Sequence, residues 1–218
     1  QPVILGEIQN KGLGLDVDIF NEKGKSIRNK KGELVCKNPF PSMPLKFWND
    51  KNDVKYKNAY FNNYSNIWHH GDYAEIKKSG GLIIHGRSDT TLNPGGVRLG
   101  TAEIYSEVEK FIEVKESIVV GQAWDNDIRI VLFIVLNQKY KFDEGLLKKI
   151  KIQIKNNASP RHVPSKIILV NDIPRTKNGK IVELAVKNII EGNDIKNKEA
   201  LANPQVLEQY KNLKELNY

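Results

Sequence analysis

The stretch HGRSDTTLNPGGVRLG, His85–Gly100, decides how this chain is divided. Between Arg87 and Arg98 it sets an acid, three hydroxyl residues, an Asn-Pro step and a Gly-Gly pair. Its apolar residues recur at neither the helical nor the strand period. Gly95 and Gly96 supply the backbone freedom expected of a boundary. The regions on its two sides are patterned differently.

Upstream, residues 1–88 read as short strands broken by turns. ILGEIQ, LDVDIF and GELVCK are β-rich, with NEKGK and NKKGE as turns between them. NPFPSMP holds three prolines and cannot sustain a regular element. IWHHGDYAEI and LIIHGR, separated by KKSGG, return to strand character. A small β-barrel or sandwich is expected here.

Downstream, Ile104, Val108, Phe111 and Ile112 fall on one helical face, with Thr101 as cap and Glu103 in the first turn. SIVVGQ and IRIVLFIVL read as strands, the second apolar on both faces and so central. DEGLLKKIKIQIKNN is a helix with Leu146, Leu147, Ile150 and Ile154 at helical spacing; KIILV is a strand, PRTKNGK a turn and IVELAVKNII a helix. The fold class is α+β: residues 1–88 a β subdomain, 89–190 a compact α+β lid domain, and 191–218 a polar tail with short helices.

The 218 residues are 39% hydrophobic, enough to bury a core, and no apolar run reaches the roughly 18 residues of a membrane span. A single cysteine, Cys36, forms no internal disulfide and points to a reducing, cytoplasmic setting. The opening QPVILGEIQN does not read as a signal peptide and lacks an initiator Met, as expected of a chain cut from a longer protein or processed. Net charge is +8, which permits a nucleic-acid partner. The lysines are scattered among acids, however, so an ordinary solvated surface with local anion sites is expected.

Four short motifs stand out: WHHGD at 68–72, GRSD at 86–89, NPGGVRLG at 93–100 and PRTKNGK at 174–180. Each alone has a plain structural reading. Gly-Asp is usually a turn, Asn178-Gly179 signals a type I′ hairpin, and a strand-ending arginine is commonly a surface ion pair. His69 and His70 lack a partner at zinc-ligand spacing, so no metal site is expected. In this order, though, the four resemble the later core motifs of the adenylate-forming superfamily: acyl-CoA synthetases, peptide-synthetase adenylation domains and luciferases. WHHGD resembles that family's Thr-Gly-Asp motif, GRSD its Gly-Arg-x-Asp hinge, GGVRLG its Gly-x-Arg loop and PRTKNGK its Pro-x-Thr-x-x-Gly-Lys motif. The family's Gly-rich phosphate loop and Tyr-Gly-x-Thr-Glu motif do not occur, so the chain resembles the C-terminal third of such an enzyme.

The resemblance implies roles. Asp72 would bind the ribose hydroxyls of ATP or AMP, as a carboxylate can accept from a cis-diol. His70 stands where the family has Thr, which leaves that side chain's contact open. Arg87 would contact ribose and phosphate, and Arg98 phosphate. Asp89 would be the hinge, Gly95 and Gly96 would line the CoA pantetheine channel, and Lys180 would be the catalytic lysine. Lys151 would meet the CoA 3′-phosphate, with a solvated basic face as the alternative. The implied reaction joins a short acyl acid to CoA with ATP, with Mg²⁺ accompanying ATP on ligands outside this chain. Implied partners are these small molecules and an N-terminal domain of the same enzyme, with no nucleic acid and no membrane. The isolated chain would be nearly inactive. A carrier-protein acceptor or a non-catalytic basic binding module are the alternatives.

Overall fold

The computed structural model describes residues 2–195 and 198–218. The chain divides into two compact units, one ending at Asp89 and the other running from Thr90 to Tyr218.

The first unit is built on four antiparallel strands in sequential order: β1 (Val17–Phe20), β2 (Gly32–Cys36), β3 (Trp68–Ile76) and β4 (Leu82–Arg87). The expected barrel or sandwich is therefore an open meander. Alternating strands with turns are compatible with either architecture. Closure needs tilted strands whose first and last members pair, and here β1 and β4 are the two edges of the sheet. ILGEIQ, expected as a strand, contributes one bridge from Ile8 to Leu82. Ile19, Ala74, Ile76 and Leu82 form one small core. A second core gathers Cys36 and Trp68 with Tyr56 of the short helix α1 (Val54–Tyr60). The proline-broken NPFPSMP segment forms no element but packs Phe40 and Met43 onto this cluster. Tyr60 stacks on the Trp68 ring at 3.7 Å between centroids.

In the second unit β5 (Val114–Trp124) and β6 (Asp127–Leu136) form a long hairpin, and β7 (Lys166–Leu169) pairs parallel to β6. Asp125 and Asn126 both have positive φ, the conformation a two-residue hairpin requires. β6 is central and buried on both faces, as its continuous apolar run implies. One face packs against α2 (Thr101–Val108) and α3 (Glu144–Asn157), burying Ile104, Val108, Leu146, Ile150 and Ile154. The other packs Val186 of α4 (Glu183–Ile190) with Tyr210 and Leu216. Residues 204–216, expected as part of a polar tail, thus carry core side chains.

Two local expectations change. α2 stops at Val108, so Phe111 and Ile112 lie beyond it and Ile112 is exposed. Its cap is Gly100 rather than Thr101; the Gly100 N–H donates to Glu103 Oε2 at 3.3 Å.

Candidate functional site

The candidate residues fall into two groups, one on each unit. On the first unit, Asp72 of β3 lies directly opposite Arg87 of β4 in the sheet register. Just beyond this pair the register shifts, with His85 of β4 the extra residue between the Tyr73–Gly86 and Ala74–Ile84 pairs, a bulge in β4. Arg87 Nη1 donates to Asp72 Oδ1 at 3.5 Å and to the His70 carbonyl at 3.4 Å. Arg87 Nε lies 3.5 Å from Asp89 Oδ1. His70 Nδ1 bonds Asp72 Oδ2 at 2.5 Å. An ionised carboxylate only accepts, so that ring nitrogen must carry the proton. His70 therefore engages the aspartate itself.

These contacts set the charge of Asp72. Burial disfavours its ionised form, but the His70 hydrogen bond and charge, followed by Arg87, outweigh burial and hold the carboxyl below its usual range. Its side chain is 18% exposed, whereas those of Arg87 and Asp89 are about half exposed, at 53% and 50%. The pair thus sets an ionised acceptor and a guanidinium side by side across β3 and β4.

Sequence reasoning missed Gly71. It has φ +84°, and a Cβ there would sit 2.9 Å from Arg87 Nη2. The left-handed φ favours glycine here, and the Arg87 guanidinium occupies the space a Cβ would take. The cue is visible as the Gly-Asp pair, but it reads as a turn. Two further polar groups were also missed. Half-buried Ser88, beside Asp89, donates to Glu33 Oε2 at 2.5 Å, and His69 Nε2 bonds the same oxygen at 2.8 Å. Glu33 is 55 residues from Ser88 in the chain, and no sequence pattern announces the pairing.

On the second unit, Gly95 and Gly96 lie in a 3-10 turn, Pro94–Gly96, with φ 58° and 74°. Nothing lies within 4 Å of a Cβ placed at either. Positive φ, rather than close approach, is what demands glycine here. The Gly95 N–H donates to both Asp127 carboxylate oxygens at 2.9 Å. The loop is closed by reciprocal backbone bonds between Leu92 and Leu99, 3.0 and 2.8 Å, whose side chains are buried. Half-buried Arg98 donates from Nε to Thr91 Oγ1 at 3.0 Å. Lys151 lies half-buried on α3, flanked by exposed Lys148 and Lys149.

Lys180 closes a tight loop. The Gly179 N–H donates to the Thr176 carbonyl and the Thr176 N–H to the Lys180 carbonyl, both at 2.8 Å. The Lys180 N–H donates to Thr176 Oγ1 at 3.1 Å. Only Gly179 has positive φ, not Asn178, so the expected type I′ turn is instead a turn finished by one left-handed glycine. Arg175 braces the loop, donating from Nη1 to the Gly179 carbonyl at 2.8 Å and pairing with Glu116 at 3.0 Å. The Lys180 side chain is exposed, and among the described residues no hydrogen bond or ion pair engages its ammonium. Among the described residues no group of three His, Cys, Asp or Glu is placed to hold a metal, and no helix is long and apolar enough to cross a membrane.

The second unit thus combines a hairpin, a parallel third strand, a glycine-rich loop entering α2 and a lysine-bearing turn. Residues 103–180 match the AMP-binding enzyme C-terminal domain. Along almost all of its length it is similar to acetoacetyl-CoA synthetases. It is 57% identical over 99% of its residues to the acetoacetyl-coenzyme A synthetase of Rhizobium meliloti, covering 33% of that protein. It is 48% identical over 99% to the acetoacetyl-CoA synthetase of Xenopus tropicalis, covering 32%. The structure of acetoacetyl-CoA synthetase from Streptomyces lividans superimposes with a TM-score of 0.90 at 40% identity, over 96% of this chain and 32% of that one. The chain thus spans about a third of the length of the relatives it matches.

Proposed function

We propose that this chain works as the C-terminal part of an AMP-forming acid–CoA ligase acting on acetoacetate, alongside a larger nucleotide-binding domain. The observation that carries the substrate class is the 57% identity to an acetoacetyl-coenzyme A synthetase over 99% of the chain. In the first half-reaction a carboxylate oxygen bonds the ATP α-phosphorus and the bond to pyrophosphate breaks. In the second, the CoA sulfur bonds the acyl carbon, AMP leaves, and the thiol proton is lost.

Each candidate residue takes a share. Asp72, kept ionised by His70 and Arg87, accepts from the ribose hydroxyls. Arg87 and Arg98 meet phosphate oxygens. Lys180 supplies a positive charge where two anions converge and pyrophosphate leaves; such stabilisation is strongest in a water-excluded site. An exposed turn can bring the lysine in and take it away. Asp89 is the hinge whose dihedral change exchanges the Lys180 loop for the Gly95-Gly96 loop, which then lines the path of the pantetheine arm, with Lys151 toward the CoA 3′-phosphate. Mg²⁺ comes with ATP, on ligands outside this chain. The setting is cytoplasmic.

The test supplies ATP, CoA and a panel of short acids to the intact enzyme. Acetoacetate-dependent formation of AMP, pyrophosphate and a thioester supports the reading. Adenylate formation that discharges only onto a carrier protein, or none with any acid, overturns it.

A further inference from the structure

The Lys180 loop is exposed at its tip, yet its base is not held by its own turn alone. A later segment of the chain lies along it. Thr176 bridges Leu201 in antiparallel fashion. The Lys177 N–H donates to the Ala200 carbonyl at 3.2 Å, and the Ala202 N–H to the Arg175 carbonyl at 2.8 Å. Asn203 then makes three bonds at one point. Its Oδ1 accepts from the Arg175 N–H at 2.9 Å. Its Nδ2 donates to Asp172 Oδ2 at 2.9 Å and to the Ile173 carbonyl at 3.0 Å.

The strap continues past that point. Gln209 Nε2 and the Tyr210 hydroxyl donate to the Asp172 carbonyl at 2.8 and 2.9 Å, and Gln209 Oε1 accepts from the Asn171 N–H at 2.7 Å. Tyr210 is wholly buried against Phe133, ring edge to face at 4.9 Å. Leu201 and Leu207 are buried with Ala185 of α4, the helix that follows the loop. The strap is thus fixed to the core at both ends, and between them it satisfies backbone groups from Asn171 to Lys177.

We propose that residues 198–210 act as a positioning strap for Lys180, with Asn203 as its central residue. This rests on the adenylation role assigned to Lys180 above. A lysine on a bare turn would sample many placements, and a displacement of about 1 Å at a reacting centre can cost on the order of a hundredfold in rate. The strap ties the strand leading into the loop to a buried anchor, and that strand holds the returning one through the Thr176–Lys180 and Val182–Pro174 backbone bonds, which narrows where the lysine can sit. Asn203 suits the task because one amide offers an acceptor and two donors, and here they meet three separate groups of the segment leading into the loop.

The experiment makes Asn203→Ala in the intact enzyme, beside Gln209→Ala and Lys180→Ala. Acetoacetate-dependent pyrophosphate exchange and thioester formation from pre-made acyl-adenylate are assayed separately. Amide hydrogen exchange is followed over residues 171–180, with α3 as internal reference, and the melting temperature of each variant is recorded. For Asn203→Ala, pyrophosphate exchange should fall roughly ten- to a hundredfold while thioester formation persists, and amides 175–177 should exchange faster with α3 unchanged. Gln209→Ala, removed from the bridge to Thr176, should show the same pattern more weakly. If Lys180→Ala abolishes pyrophosphate exchange but Asn203→Ala and Gln209→Ala leave it intact, the strap is wrong and the lysine's role stands. Equal loss of both half-reactions in well-folded Asn203→Ala also overturns the strap. If Lys180→Ala itself retains pyrophosphate exchange, the lysine's role fails and the strap with it.

Discussion

Asp72 and Lys180 carry the two charges on which the proposed chemistry most depends, and the chain holds them in opposite ways. Asp72 sits on a strand, with His70 and Arg87 on its oxygens and its side chain largely covered. Its partners are in place before any ligand arrives. Lys180 sits at the end of a turn, with its backbone bonded and its ammonium exposed. A group that binds the same ribose throughout a reaction is best held rigid before the ligand binds, because no reorganisation is then needed. A group needed for one step out of two gains from a fixed base and an unengaged tip. The two constructions fit a permanent contact and a transient one.

The largest expected effect comes from removing the transient charge. Lys180→Ala should lower adenylation by at least about 10²–10³-fold, the range for losing one electrostatic contact to a transition state, yet largely spare thioester formation from pre-made acyl-adenylate. Pyrophosphate exchange and thioester release, measured apart, check this. Equal loss in both would erase the contrast between permanent and transient groups. Acetylation of Lys180 removes the same charge and should reproduce the split.

Asp89→Pro should split the half-reactions by another route. Proline holds φ near −65° and removes an N–H donor. One setting of the hinge becomes costly while no substrate contact is lost. If the adenylating setting is the one retained, acyl-adenylate still forms and its transfer to CoA slows strongly. Wild-type rates in both assays would show that Asp89 is not the hinge.

The permanent site is tested at Gly71. Alanine there must take a left-handed backbone, costing about 1–2 kcal/mol, and its Cβ would fall 2.9 Å from Arg87 Nη2. Arg87 should be driven off Asp72, raising the KM for ATP more than it lowers kcat. An unchanged KM would show that the placement of Arg87 does not matter to nucleotide binding.

How far these features can be read from the sequence depends on whether the signal is local. The second unit is legible in outline because β6 is one unbroken apolar run and α3 repeats Leu146, Ile150 and Ile154 at helical spacing. The Lys180 turn is legible as a turn, but its type is not, since Asn-Gly permits the left-handed conformation at both positions and the fold uses it only at Gly179. The open sheet reads as a barrel because alternation along strands says nothing about whether the edges meet. Glu33 with Ser88, and Asn203 with Arg175, are invisible because each pair joins through the fold across tens of residues. Leu207, Tyr210 and Leu216 follow neither period and sit in short 3-10 turns, so a segment that is in part core looks like a polar tail.

The smallest effect at neutral pH, and the sharpest probe of the fixed site, is His70→Ala. Asp72 is held below the ordinary carboxylate range, with burial opposing and the His70 hydrogen bond the first of the lowering causes. A carboxyl lowered by folding contributes stability that is present above its unfolded value, about 3.9, and is lost as pH falls through the lower folded value. At pH 7 to 8 the group is ionised with or without His70, so nucleotide affinity there should change little. Removing the histidine should move the Asp72 carboxyl upward, because Arg87 alone is left to oppose burial. The acid limb of ATP binding, and of acid unfolding, should then begin at a higher pH than in the wild type. Titration of nucleotide affinity from pH 8 downward, with unfolding followed on the same samples, reads both limbs. If the acid limb stays in place, the 2.5 Å contact to His70 is not what keeps Asp72 charged. Arg87 would then be its principal support, and Gly71→Ala should carry the pH shift instead.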